Sequence, residues 1–246
     1  LVISRFNYLI TQSLTYLQTI TYRLRRGKRL PTNNNKTKKP WREAVQEVMR
    51  HATEAEALAR FGKRKPAFNY RWEHVTTVVT LANKLAAMTG ADAEVVEAAA
   101  WLHDVRKEAK EKHPQEGAKF ARKFLPKTDF PPQKIEAVAQ AIEDHMGLWL
   151  EKPLTNLESQ VLWDADKLAK IGLTAVFHFT GNVLAKGKPT TTDELLSNGR
   201  DAAWQARTVA SMHTEPARRA AVARFQAYHQ LWNVLEQELK GDDLDA

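Results

Sequence analysis

The sequence predicts an all-α fold, a bundle of about eight helices, and three observations carry that prediction. Apolar residues recur at three- and four-residue spacing through residues 41 to 246, the period of a helix with one buried face. Pro and Gly fall between stretches of helical length, at Pro66, Gly90, Pro114, Pro126, Pro131-Pro132, Gly147, Pro153, Gly172, Gly187-Lys-Pro189, Pro216 and Gly241. The composition is rich in Ala, Glu and Lys, which favour helix, and sustained β-branched alternation is absent. Thr76-Thr-Val-Val-Thr80 comes nearest to a strand, but it lies inside a longer helical period.

Residues 1 to 40 read as a basic extension and linker. Ile3, Phe6, Ile10, Leu14, Leu17, Ile20 and Leu24 follow helical spacing, and Arg23-Leu-Arg-Arg-Gly-Lys-Arg29 closes the stretch. Three readings fit: an interfacial helix with a basic end, an organelle-targeting peptide rich in Arg, Ser and Thr but free of acid, or an extension from an uncertain start. Pro31-Thr-Asn-Asn-Asn-Lys-Thr-Lys-Lys-Pro40 is a polar linker, and the globular part, residues 41 to 246, begins near Trp41.

Within that part, His74, Val78, Leu81 and Leu85 form one stripe, which points the His74 ring toward the core. Val95, Val96, Ala99 and Leu102 form the next, with His103 on the line of Val96 and Ala99. Arg106-Lys-Glu-Ala-Lys-Glu-Lys112 reads as a solvated helix end. His145 extends a stripe of Ile135, Val138 and Ile142. Asp164 and Asp166 flank the stripe of Leu157, Val161, Ala165 and Leu168, one on either side, and helix geometry does not choose between them. An exposed Asp on a helix ordinarily just solvates the surface, so one of the two is expected to stand outside any site.

Composition narrows the chemistry. The chain has 246 residues and no Cys, so disulfides, thiolate metal sites and Cys nucleophiles are excluded, and metal ligands must be His, Asp or Glu. The net charge of +8 is unevenly divided. Residues 1 to 42 hold ten Lys/Arg and no acid, which leaves the remainder with 27 basic against 29 acidic groups. The body therefore has no bulk electrostatic case for binding nucleic acid, whereas residues 1 to 42 suit an anionic surface, membrane or RNA. No run of 18 apolar residues occurs, so no transmembrane helix is expected. A Cys-free chain is compatible with a cytoplasmic protein, the localisation expected here. The alternative is an organelle-targeted or membrane-peripheral protein, through the amino-terminal segment.

The inward histidines His74, His103 and His145 come from three helices that a bundle can bring together around one ion. Taken singly, each is better explained as a core histidine bonded to a backbone carbonyl. Taken together, with Asp104 directly after His103 and an acidic pair on a later helix, they supply both imidazoles and the negative charge that a divalent cation needs. His and carboxylate ligands suit Mn, Fe, Co, Ni, Zn or Mg. Such an ion acidifies a bound water into a nucleophile and polarises a phosphoryl oxygen, and in-line attack then needs positive charge near the equatorial oxygens. Lys107 is the nearest candidate, followed by Lys167 and Arg218.

His74, the His103-Asp104 pair and Asp166 in Asp-Ala-Asp-Lys-Leu resemble the H…HD…D signature of the HD superfamily of metal-dependent phosphohydrolases. Trp72-Glu-His-Val75, Ala99-Ala-Trp-Leu-His-Asp-Val105, His113-Pro-Gln-Glu-Gly117, Ile142-Glu-Asp-His145 and Ser211-Met-His-Thr214 with Ala217-Arg-Arg219 follow in the order found in small bacterial HD-domain hydrolases. The resemblance covers approximately residues 68 to 240 and implies an HD-domain-like helical bundle.

It also implies roles. His74, His103, Asp104 and Asp166 match the ligands of the primary metal, and the family pattern favours Asp166 over Asp164. His113 and His145 match histidines that hold a second metal in dinuclear members and can meet the substrate phosphate in mononuclear ones. Lys107 matches the Lys of the HDxGK form, although Arg106 stands where that form has Gly and no GYP motif follows. Asp104 and Lys107 are thus the expected catalytic residues, with Lys107, His113, His145 and Arg218 at the substrate.

The reading that results is a metal-dependent phosphohydrolase cutting a phosphomonoester or phosphoanhydride of a nucleotide-like substrate by attack of metal-bound water. One alternative is a dinuclear phosphodiesterase of a cyclic or hyperphosphorylated signalling nucleotide. Another is a non-catalytic helical module tethered to RNA or membrane by its basic arm.

Overall fold

A computed structural model of the chain describes residues 38–200 and 203–245, and the arm expected over residues 1 to 40 lies outside them except for Lys38 to Pro40. Ten α-helices follow: α1 Trp41–Phe61, α2 Tyr70–Thr89, α3 Ala93–Leu102, α4 His113–Phe124, α5 Ile135–Asp144, α6 Leu157–Leu168, α7 Leu173–Ala185, α8 Thr192–Arg200, α9 Trp204–Ala210 and α10 Glu215–Lys240. Short 3-10 turns link several of them, among them Lys107–Lys112 before α4. No strand forms among the described residues; a single bridge pairs Lys39 with Thr128.

The count exceeds the expected eight because the stretch between Pro189 and Pro216, which has no internal proline, carries two short helices. Elsewhere the punctuation works as its chemistry dictates. Gly90 and Gly241 end α2 and α10 in the left-handed conformation, and Pro216 sits in the first turn of α10. Asn69, Asp92 and Asn156 accept from backbone N–H groups at the starts of α2, α3 and α6.

Helix α3 is the axis of the bundle. Seven of its ten residues, including Val95, Val96, Ala99 and Leu102, are buried, because α1, α2, α5 and α6 pack around it. Small residues set the spacing: a Cβ added at Gly117 would lie 3.1 Å from Ile142 Cγ2, so α4 and α5 meet closely at this point. Helix α6 is covered on both sides, by α2, α3 and α5 and by α10, and consequently buries Asp164, Asp166 and Lys167 along with its apolar stripe. A second cluster of Val176, Tyr228 and Trp232 ties α7 to α10. Among the described residues no single helix is long and apolar enough to cross a membrane.

Candidate metal centre

Three histidines sit at helix ends, and the backbone there determines how their rings point. The last turn of an α-helix leaves carbonyl oxygens without intrahelical partners. His103 directly follows α3 and donates through Nδ1 to the Ala100 carbonyl at 2.8 Å, while His145 directly follows α5 and donates to the Ile142 carbonyl at 2.6 Å. His113, the first residue of α4, bonds the carbonyl of Lys110 in the same way. Lys110 has φ 54° and ψ −119°, the one positive φ outside glycine among the described residues. A carbonyl can only accept, so each of these Nδ1 atoms carries the proton and each Nε2 presents a lone pair. His74 reaches the same place from the second turn of α2, stacked on Tyr70 with ring centroids 5.9 Å apart and planes 9° from parallel.

The four Nε2 atoms converge on two carboxylates. Asp104 Oδ2 lies 3.6 Å from His103 Nε2 and 3.9 Å from His74 Nε2, and Asp104 Oδ1 lies 3.3 Å from His113 Nε2 and 3.8 Å from His145 Nε2. Asp166 Oδ1 is 3.0 Å from His74 Nε2 and 3.9 Å from His103 Nε2. Asp104 therefore belongs to two donor sets, one with His74 and His103 and the other with His113 and His145.

These donors fit a cation. Both ring nitrogens of His74 and Nε2 of His103 are buried without a hydrogen-bond partner, a cost of about 1–3 kcal/mol for each orphaned group. His113 and His145 face each other Nε2 to Nε2 at 3.1 Å, so two lone pairs meet beside a carboxylate and need positive charge between or beside them. Burial pushes the His74 ring down to about 4 and the His103 ring well below its ordinary value. Both are thus neutral at pH 7, the form that ligates a metal.

The carboxylates stay ionised despite burial. Burial alone would raise Asp104, but the Arg71 guanidinium holds it well below the usual range. Arg71 bonds Asp104 and, through Nε, Glu56 at 2.9 Å. Asp166 is likewise held low against burial by Lys167 and Lys170; the Lys170 ammonium lies 2.6 Å from Asp166 Oδ1. Burial lowers Lys167 to about 8 against the pull of Asp166, and its ammonium also donates to the His145 carbonyl at 2.8 Å. Lys107 Nζ stands 3.0 Å from both Asp104 Oδ1 and His113 Nε2.

Over this cluster opens a cleft of about 330 Å³, walled by Tyr70, Arg71, Lys107, His113, His145, Asp166, Lys167 and Lys170 with the Met146-Gly-Leu148 turn. A larger cavity of about 520 Å³ beside α1 reaches Asp104 from another side but includes none of the histidines.

His74, His103, Asp104, Lys107, His113, His145 and Asp166 thus come together. Arg218 does not: it lines neither cavity, and its guanidinium binds the carbonyls of Met212 and His213. Asp164 is not at the surface, as one of the acidic pair was expected to be, nor does it join the cluster. It is fully buried and accepts from the backbone N–H groups of His213 and Thr214 at 2.9 and 2.7 Å and from the Thr214 hydroxyl at 2.8 Å. Arg71 and Lys170 are site residues that the sequence reading missed. Their signal lay in helix spacing, Arg71 three residues before His74 and Lys170 four after Asp166, which places each on the same face as a ligand candidate.

A family model for the HD domain matches residues 71–171, and no curated protein matches the chain. Solved structures share the fold. A predicted HD superfamily hydrolase from an uncultured Thermotogales bacterium superposes with a TM-score of 0.56 at 22% identity, over 81% of this chain and 94% of that one. YpgQ of Bacillus subtilis, solved in complex with ADP, gives 0.55 at 21% identity over 80% of this chain and 98% of its own. An HD-superfamily hydrolase from Bacillus thuringiensis gives 0.54 at 18%, over 80% and 97%. The segment that matches the HD domain, residues 71–171, contains every residue of the His/Asp cluster.

Proposed function

We propose that the chain is a metal-dependent phosphohydrolase acting on a phosphomonoester or phosphoanhydride of a nucleotide-like substrate. One observation carries the reading: Arg71, Lys107, Lys167 and Lys170 line a single cleft with the donor cluster at its base. Three carboxylates, Asp104, Asp166 and the Glu56 that pairs with Arg71 from behind, offset those four cations. Such a surplus suits the charge spread over a transferring phosphoryl group. That YpgQ of Bacillus subtilis was solved with ADP supports the nucleotide class.

His74, His103, Asp104 and Asp166 would hold the ion. A divalent ion there supplies Lewis acidity toward a phosphoryl oxygen and acidifies water near neutral pH. The chain's own residues do the rest. Lys107 and Arg71 orient and neutralise the phosphate, Lys167 and Lys170 keep Asp166 ionised, and Tyr70 packs His74 in place. The deciding experiment is metal analysis of the purified full chain with a phosphate-release screen over nucleotides, comparing wild type with Asp104→Ala. Metal-dependent release that the variant loses is expected; no bound divalent ion and no release from any substrate would remove the reading.

A dinuclear phosphodiesterase is the second reading. It is favoured by the two Asp104 oxygens facing separate histidine pairs. Two ions per chain and cleavage of a cyclic or hyperphosphorylated nucleotide would select it.

A further inference from the structure

A second cavity, of about 400 Å³, adjoins the cleft, with Tyr70, Leu148 and Lys170 walling both. Its size lies in the range of small-molecule sites. Three of its other walls are aromatic, from Phe179, Trp204 and Tyr228. Tyr228 is held in place by its hydroxyl on the Gly199 carbonyl, and Tyr70 by its stacking on His74.

The polar lining sets this cavity apart from an ordinary gap between helices. His178, Asn182 and Gln205 line it, and His178 Nδ1, Asn182 Oδ1 and Gln205 Oε1 are all buried without a hydrogen-bond partner. His178 is 8% exposed and Gln205 only 1%. Native structures leave few such groups unpaired, and three on one cavity call for a ligand that pairs them. A side-chain amide offers an acceptor beside a donor, the complement of an exocyclic amino group beside a ring nitrogen. Aromatic walls take the flat faces of such a ring.

We infer that this cavity binds the base of the substrate, a nucleobase carrying an exocyclic amino group, while its phosphates occupy the cleft over His103 and Asp104. The inference rests on the phosphohydrolase reading for the phosphate and on Asn182, Gln205 and His178 for the base. Lys170 stands at the junction, between Asp166 in the cleft and the mouth of the cavity.

The test separates the two parts. Calorimetric titration of the full chain with adenosine, cytidine, uridine and ribose probes the cavity without phosphate. Adenosine or cytidine is expected to bind at least about tenfold more tightly than uridine or ribose. Asn182→Leu is expected to abolish that preference and to narrow the ratio of kcat/KM between the matching nucleoside monophosphate and ribose 5-phosphate by a similar factor. Asn182 is only half-buried on α7, so it is chosen over the fully buried Gln205, and a thermal melt verifies its fold. If no phosphate is released from any substrate but the nucleoside preference and its loss in Asn182→Leu are seen, the hydrolase reading fails and the base site stands. If phosphate is released while the four probes bind alike, or while Asn182→Leu leaves the preference intact, the base site is overturned.

Discussion

Arg71 and Asp104, on different elements, are joined by a buried ion pair, and the Asp104 oxygen that Arg71 binds is the one lying 3.6 Å from His103 and 3.9 Å from His74. The guanidinium thus stands at the edge of the donor cluster, braced from behind by Glu56. This places a fixed positive charge where a phosphate entering the cleft would meet it.

Arg71→Gln should therefore damage phosphate handling more than metal binding. Charge-assisted bonds contribute about 1.5–3 kcal/mol, so kcat/KM is expected to fall roughly ten- to a hundredfold. Metal content should remain that of wild type, since all six candidate ligands are retained. Loss of metal with unchanged turnover per bound ion would instead make Arg71 a support for the ligand set alone.

The two faces of Asp104 predict a separable second ion. His145→Gln removes one Nε2 from the set shared with His113 but leaves His74, His103 and Asp166 untouched. Metal analysis should show the variant keeping the ion of the first set. If wild type carries two ions, the variant should carry one. A variant that loses all metal would argue for a single mixed site spanning both sets.

The acidic pair on α6 predicts opposite phenotypes for two neighbouring carboxylates. Asp164→Ala strips the acceptor from two backbone N–H groups and a hydroxyl at the start of α10, where the helix dipole also favours negative charge. A loss of about 3 kcal/mol or more in unfolding free energy is expected, with metal affinity measured on the folded fraction preserved. Asp166→Ala should abolish metal binding while leaving the α10 junction intact. Equal effects of the two on metal content would contradict the division of roles.

That pair also shows what could be read from the chain and what could not. Helical period and Pro/Gly punctuation identify an all-α body because they are local properties. Local too is the inward direction of His74, His103 and His145. Whether Asp164 or Asp166 meets the histidines is decided by α10 covering the far side of α6, a contact between residues some 49 apart in sequence. No helical wheel contains it. Arg71 escaped notice for a related reason: its partner Asp104 is 33 residues away, and an Arg near a helix start reads as solvated until its neighbours are known. Arg218 erred the other way. Its place in a family-like motif suggested substrate, whereas the turn before α10 claims it.

Acidification should destabilise the metal-free protein. The folded His74 ring is lowered from 6.5 to about 4 by burial, and His103 and His145 are lowered for the same first reason. Between about pH 6.5 and 4 the unfolded chain therefore binds more protons than the folded one, so stability is fully present above 6.5 and falls as pH drops. The slope is at most about 1.4 kcal/mol per pH unit for each such histidine. Thermal melts in the presence of a chelator at pH 7.5 and 5.0 test this, and a Tm indifferent to pH across that window would show that the rings are not buried neutral.

Lys110 offers a stabilising substitution next to the site. At φ 54° and ψ −119° its backbone is strained, at a cost of about 1–3 kcal/mol for a non-glycine residue. What holds it there is its carbonyl, which receives the His113 Nδ1–H and so turns His113 Nε2 toward Asp104. Glycine adopts such a conformation freely but loses about 0.5–1 kcal/mol in chain entropy. Lys110→Gly should consequently gain about 1 kcal/mol, a Tm rise of roughly 2–4 °C for a domain of this size. Lys110→Val, whose branched side chain tolerates positive φ least, should lose stability and weaken the hold on His113. A glycine variant that melts lower than wild type would show that the Lys110 side chain contributes more than its backbone strain costs.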